Sequence, residues 1–196
     1  MKNLLYPLSI FFLIGFHLSC VNSTQSNTEV VKRTFSEQQE VLIKDGWILK
    51  ESPIKNGELS SRYGVKPQYG IQDNFFDIEM GKGGDIVVKI INLENDKCIR
   101  YIYVNEESST TINCIPNGKY YLKIAYGKDW IEKEEEPFTK GKFSSNCHYE
   151  KSTDIFDFGR KNSTQTINYT LKINVQNNGI LNNFNTTQIT EEEFYY

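Results

Sequence analysis

From Phe75 onward the chain alternates apolar and polar residues with a period of two, the pattern of strands whose two faces meet different surroundings. FFDIEM (75–80) and DIVVKIIN (85–92) flank Gly81-Lys82-Gly83-Gly84, which predicts a glycine-rich hairpin. In the second of these, Ile86, Val88 and Ile90 share one face while Val87 and Ile91 make the other apolar too. A strand apolar on both faces is predicted to be central and covered on both sides. CIRYIYV (98–104) and TTINCI (110–115) follow, separated by the polar turn at 105–109, and then Pro116-Asn117-Gly118, a turn by residue type. KYYLKIAY (119–126) places Tyr120, Leu122, Ile124 and Tyr126 together and is predicted to end at Gly127. Residues 127–150 read as irregular, with the charge run Glu132–Glu136 stopped by Pro137. DIFDF (154–158) reads as a short strand. TINYTLKINV (166–175) is the cleanest of all, with Ile167, Tyr169, Leu171, Ile173 and Val175 on one side, and Asn177-Asn178-Gly179 turns the chain after it.

Helix signals are few. In FSEQQEVLIKDG (35–46), Ser36 is a candidate N-cap with Gln39 three residues on, and Gly46 a candidate stop; the alternative is a continuing tether. Thr190 followed by Glu193 predicts one capped turn carrying Phe194 near the end. Composition agrees with this balance. Ala occurs once, at Ala125, and Asn 19 times, which disfavours a helical bundle. About seven short strands spaced by turn signals predict an all-β fold, an antiparallel β-sandwich of prealbumin- or Ig-like type with a short N-terminal helix. The domain layout expected is a leader at 1–20, a polar tether at 21–34 and a single domain at 35–196. Within it, I-P-N-G-K-Y-Y-L-K-I (115–124) resembles the turn-to-strand entry of prealbumin-like, carboxypeptidase-regulatory-like modules. That resemblance implies a transthyretin-like sandwich with a binding or spacer role and no catalysis.

The N-terminus carries an address. Lys2 precedes an apolar run from Leu4 to Leu18, too short for a membrane span but fitting a signal-peptide core, and Ser19-Cys20 ends it. The sequence after it, VNSTQSNTE, is polar. This arrangement resembles the lipobox of bacterial lipoproteins in the looser form of Bacteroidota-type members; Ser19 matches the pattern, whereas His17 and Leu18 depart from it. The resemblance implies cleavage before Cys20, lipidation of that thiol and membrane attachment through the lipid. Surface-exported lipoproteins of the kind this leader resembles carry acidic residues directly after the cysteine, whereas the first acid here is Glu29, so the resemblance implies an outer-membrane lipoprotein facing the periplasm. Loss of Lys2 with the leader takes the net charge from −3 to −4, so nucleic acid is not expected as a partner.

Catalytic and metal motifs are sparse. His148 is the one histidine beyond the leader, adjacent to Cys147, with no spacing that suits zinc, and no metal or cofactor is expected. The spacing of Asp154, Asp157 and Gly159 is a poor calcium loop. Carboxylates cluster at 132–136 and 191–193 and read as solvated faces. Cys98 and Cys114, on consecutive predicted strands around the 105–109 turn, are the candidate disulfide, with buried free thiols as the alternative. The aromatic surplus is the remaining candidate: Tyr101, Tyr103, Tyr121 and Trp130 could form a stacking surface for sugars or peptides, although the same residues also fill sandwich cores. The expectation is a lipid-anchored envelope module that binds an envelope protein or glycan, without catalysis. Two rivals stand beside it: an envelope glycan or peptide hydrolase with a carboxylate pair, and a secreted eukaryotic glycoprotein using sequons at Asn22, Asn162, Asn168 and Asn185.

Overall fold

A computed structural model describes residues 35–159, 166–176 and 179–196. The leader, Cys20, the tether, the sequons at Asn22 and Asn162 and the Asn177-Asn178 turn lie outside the described residues.

The first described element is helix α1 (Glu37–Lys44), capped as its sequence predicts: Ser36 Oγ accepts from Gln39 N at 3.3 Å and the Gln39 side chain accepts from Ser36 N at 3.0 Å. Gly46 follows at φ 89°, a backbone that glycine adopts without strain. Two short strands, β1 (Ile48–Leu49) and β2 (Gly57–Glu58), and a 3-10 turn at Ser61–Tyr63 lead into the main body. There follow β3 (Phe75–Met80), β4 (Asp85–Asn92), β5 (Cys98–Val104), β6 (Ser108–Asn113), β7 (Lys119–Glu135), β8 (Phe138–Ser152), β9 (Phe156–Asp157), β10 (Tyr169–Gln176), β11 (Gly179–Asn182), β12 (Thr186–Gln188) and helix α2 (Glu191–Tyr195).

These strands make an all-β sandwich of two sheets. The larger runs β12-β8-β7-β4-β5-β2, with β1 and β9 also paired to β7, and the smaller runs β11-β10-β3-β6. Every described pairing is antiparallel except β3 with β10, which is parallel (Phe76 opposite Tyr169). Phe76, Ile78 and Met80 of β3 and Leu171 and Ile173 of β10 face Ile86, Val88 and Ile90 of β4 and Leu122, Ile124 and Tyr126 of β7 across the core. Each such side chain contributes about 1.5–3 kcal/mol by leaving water.

Three expectations need correction. Gly81–Gly84 does not close a hairpin: β3 and β4 lie in different sheets, so the loop carries the chain across the sandwich. Gly83 and Gly84 sit at φ 116° and 146°, and a Cβ on Gly84 would meet the Gly127 carbonyl oxygen at 2.7 Å. The chain crosses again between β5 and β6, which removes the shared ladder on which the Cys98–Cys114 bond rested; both are free thiols. Residues 127–150 are not irregular. They form most of the longest hairpin, β7–β8, whose register runs from Lys123 opposite Lys151 to Glu135 opposite Phe138, with a bulge beside Gly127.

β4 is covered on both faces, as its pattern requires. Its inner residues join the sandwich core, and Val87 joins a second cluster on the outer face with Leu59, Tyr101, Tyr103, Trp130, Phe143, Tyr149 and Phe194. That outer face is roofed by the 54–65 segment and by α2, whose Thr190–Glu193 capping box is present and whose Phe194 is wholly buried. Gln39 ties α1 to the β7–β8 hairpin by donating to Asp129 Oδ2 and Ser144 Oγ, both at 3.0 Å.

Candidate functional site

The outer face of the larger sheet carries lysines in register. Lys89 on β4 lies opposite Lys123 on β7, and Lys123 lies opposite Lys151 on β8. Like charges opposed across strands are unfavourable, so the row needs compensation. The last turn of α2 supplies it with backbone carbonyls: Lys89 Nζ donates to Phe194 O at 3.1 Å and Lys123 Nζ donates to Glu193 O. Lys151 Nζ sits 4.3 Å from the centre of the Tyr121 ring. Lys89 lies among three rings, 4.7 Å from Phe194 and 5.1 Å from both Tyr101 and Tyr195. Burial, with Lys123 adding repulsion, pulls the Lys89 ammonium down to about 8.

Beside this lysine is a cavity of about 540 Å³. Lys89 and the buried Tyr101 line its sheet side, while Trp47, Tyr63 and Tyr195 contribute aromatic walls. Phe138 and Tyr196, 51% and 87% exposed, line it where it meets solvent. The hairpin residues Thr139–Lys142 and the helix residues Glu191 and Glu192 complete the lining. Gly141 is required by close approach: a Cβ there would lie 2.3 Å from the Trp130 ring and 2.9 Å from that of Tyr63. Its carbonyl accepts from Tyr195 Oη at 2.9 Å, which fixes that wall.

The charged lining groups are unequally partnered. Lys142 pairs with Glu191 at 2.8 Å and stands 5.0 Å from the centre of the Trp47 ring, and Lys140 pairs with Glu135 at 2.6 Å. Lys89 has no carboxylate within 4.0 Å among the described residues.

The four aromatics expected to form an open stacking surface are all buried, so that surface does not exist as such. Tyr103 packs edge-on against Trp130 at 5.3 Å and donates to Asp85 Oδ2 at 2.7 Å. Trp130 packs on Phe143 at 5.1 Å, and Tyr121 donates to Asp96 Oδ1 at 3.0 Å. Of the four, Tyr101 lines the cavity. Aromatic residues on a strand pattern identically whether a roof covers them or not, and the roof here comes from distant segments. Sequence reasoning missed Lys89, Trp47, Phe138 and Tyr195 as lining residues. The one available signal was Lys89 itself, a lone charge inside an otherwise apolar two-faced strand.

The acidic run also differs from expectation. Glu132 is buried, accepting from Arg62 Nη2 at 3.0 and 3.1 Å and from the Tyr63 hydroxyl, with Lys50 at 3.5 Å. Glu134, Glu135 and Glu136 are exposed. Glu132 is the buried carboxylate among the described residues and does not line the cavity; Glu191 and Glu192, which do, are exposed. His148 is exposed while Cys147 turns into the outer-face cluster, so the adjacent pair points to opposite faces of β8. No group of three or more histidine, cysteine or acidic residues suited to a metal occurs among the described residues. No described helix is long and apolar enough to cross a membrane.

Comparison with known protein families, with characterised proteins and with solved structures returns no match.

Proposed function

We propose that this chain is a non-catalytic binding module of the bacterial cell envelope, held at the outer membrane by a lipid on Cys20 and facing the periplasm. Its ligand sits in the outer-face cavity. The observation that carries the reading is the cavity itself: about 540 Å³, walled by aromatic rings, with lysine and glutamate side chains also in its lining. Small-molecule sites have this size and this lining, typically ~300–1,000 Å³. The aromatic walls suit the face of a sugar ring or the side chain of an envelope peptide equally well. The charge supports an anchor outside the fold. A chain with 25 acidic and 22 basic residues has no electrostatic hold on an anionic bilayer, and a lipid on Cys20 supplies a hydrophobic one.

Native mass spectrometry of the full chain, recovered from its own envelope in mild detergent, tests this reading. A retained small molecule that disappears with Phe138→Ala and Tyr195→Ala is the expected result. A ligand-free spectrum for the unaltered chain would contradict it.

A further inference from the structure

Resting on the cavity reading above, one feature specifies the chemistry of the ligand. Three lysines line the cavity, and two are committed: Lys142 to Glu191 at 2.8 Å, Lys140 to Glu135 at 2.6 Å. Lys89 is the third. Its ammonium is mostly buried, with one carbonyl at 3.1 Å and three ring faces around it. Those groups stabilise a cation, and none of them neutralises it. Lys123, in register beside it, adds a second positive charge to the same patch of sheet. Glu191 and Glu192 also line the cavity, but both are exposed, where water and salt screen them, and Glu191 is already engaged by Lys142.

We propose that the cavity takes a small planar apolar molecule bearing a carboxylate or comparable oxyanion, with the anion on Lys89 and the planar body between the rings of Tyr101, Tyr195, Trp47 and Phe138. An acid entering this site gains a charge-assisted hydrogen bond in a partly dry setting, where such bonds are strongest. It also brings a full negative charge to a cation that the carbonyl and the rings stabilise without neutralising. A neutral molecule of the same shape gains the ring contacts alone. At neutral pH the Lys89 amine is protonated, since burial has brought it down only to about 8, so the cation is present to be met.

The probes are 2-naphthoate and its uncharged carboxamide, titrated by calorimetry into the full chain carrying Cys20→Ala, so that no lipid or detergent competes for them. The acid should bind at least tenfold more tightly than the amide. Lys89→Met should reduce that preference to less than about twofold while leaving amide binding in place, and Lys89→Arg should retain most of it. Equal affinities in the unaltered cavity would overturn the anion assignment and leave the cavity reading standing. Binding of neither probe would overturn both. A preference that survives Lys89→Met would remove Lys89 from the role. Should Lys89→Met fail to fold, the acid-to-amide ratio with Lys89 in place still decides the matter.

Discussion

Lys89 Nζ lies 3.1 Å from the carbonyl oxygen of Phe194, joining a central strand of the larger sheet to the last turn of α2 across 105 residues. Around this one hydrogen bond the outer face is organised: Phe194 fills the space over Tyr101 and Tyr149, and Tyr195 walls the cavity. The cavity therefore exists only while α2 is docked.

Phe194→Ala should then act twice. The side chain is wholly buried, so its removal should cost about 3–5 kcal/mol in chemical denaturation. Should the domain remain folded, α2 should exchange its amides quickly and the cavity should open. Stability within ~1 kcal/mol of the unaltered protein would show that α2 is not docked as described.

A pH dependence follows from Lys89. The groups facing it are Lys123, Cys98, Tyr101 and the α2 residues Phe194 and Tyr195. Its folded pKa is depressed from 10.5 to about 8, so between these values the unfolded chain binds more protons than the folded one. Stability gained from this group therefore rises with pH across that window, and the penalty for burying the charge is fully present below it. Lys89→Met should be more stable than the unaltered protein at pH 7, by at most on the order of 3 kcal/mol, with the gap closing toward pH 10. Buried tyrosines and Cys98 titrate in the opposite sense at higher pH, so the difference between the two curves is the quantity to follow. A constant gap from pH 7 to 10 would contradict the burial of this amine.

The cysteines give a direct check on topology. Cys98, Cys114 and Cys147 are free, and burial pushes the Cys98 thiol up to about 11. Alkylation after unfolding without reductant should modify all three, whereas Cys98 in the folded protein should react slowly. A Cys98–Cys114 bond on peptide mapping would mean that β5 and β6 share a ladder after all.

Much of this architecture was readable from local pattern. The strict alternation in β3 and β10, the two apolar faces of β4, and the capping pairs Ser36/Gln39 and Thr190/Glu193 all depend on residues within a few positions of one another. What was not readable depends on distance. A four-residue glycine loop suits a hairpin and a crossing between sheets alike, so Gly81–Gly84 could not reveal which sheet β4 joins. The outer half of the β7–β8 hairpin hides its alternation because its exposed end is polar on both faces, with Lys133 opposite Lys140 and the pair Lys140–Glu135 alongside. Glu132 looked like one more solvated acid, and Arg62, 70 residues away, is what allows its burial. The cavity was least visible, since its walls come from Trp47, β8 and α2, brought together by the docking of Phe194.

The proposed lipid on Cys20 carries a prediction of its own. Cys20→Ala should release the protein from the membrane fraction and leave the domain's melting transition unchanged, because two acyl chains hold a protein on a bilayer where the folded domain does not. Mass spectrometry of the unaltered N-terminus should show a lipid-modified Cys20. An unmodified start at Val21 or beyond would instead favour a secreted protein.

On the proposed reading the outer face, and not the sandwich core or the smaller sheet, holds the ligand. Hydrogen exchange of the full chain carrying Cys20→Ala, with and without saturating 2-naphthoate, tests it most directly. Added protection is expected at 45–50, at 138–143 and at 189–196, with β3, β6 and β10 unchanged. No added protection anywhere, or protection confined to the smaller sheet, would contradict it.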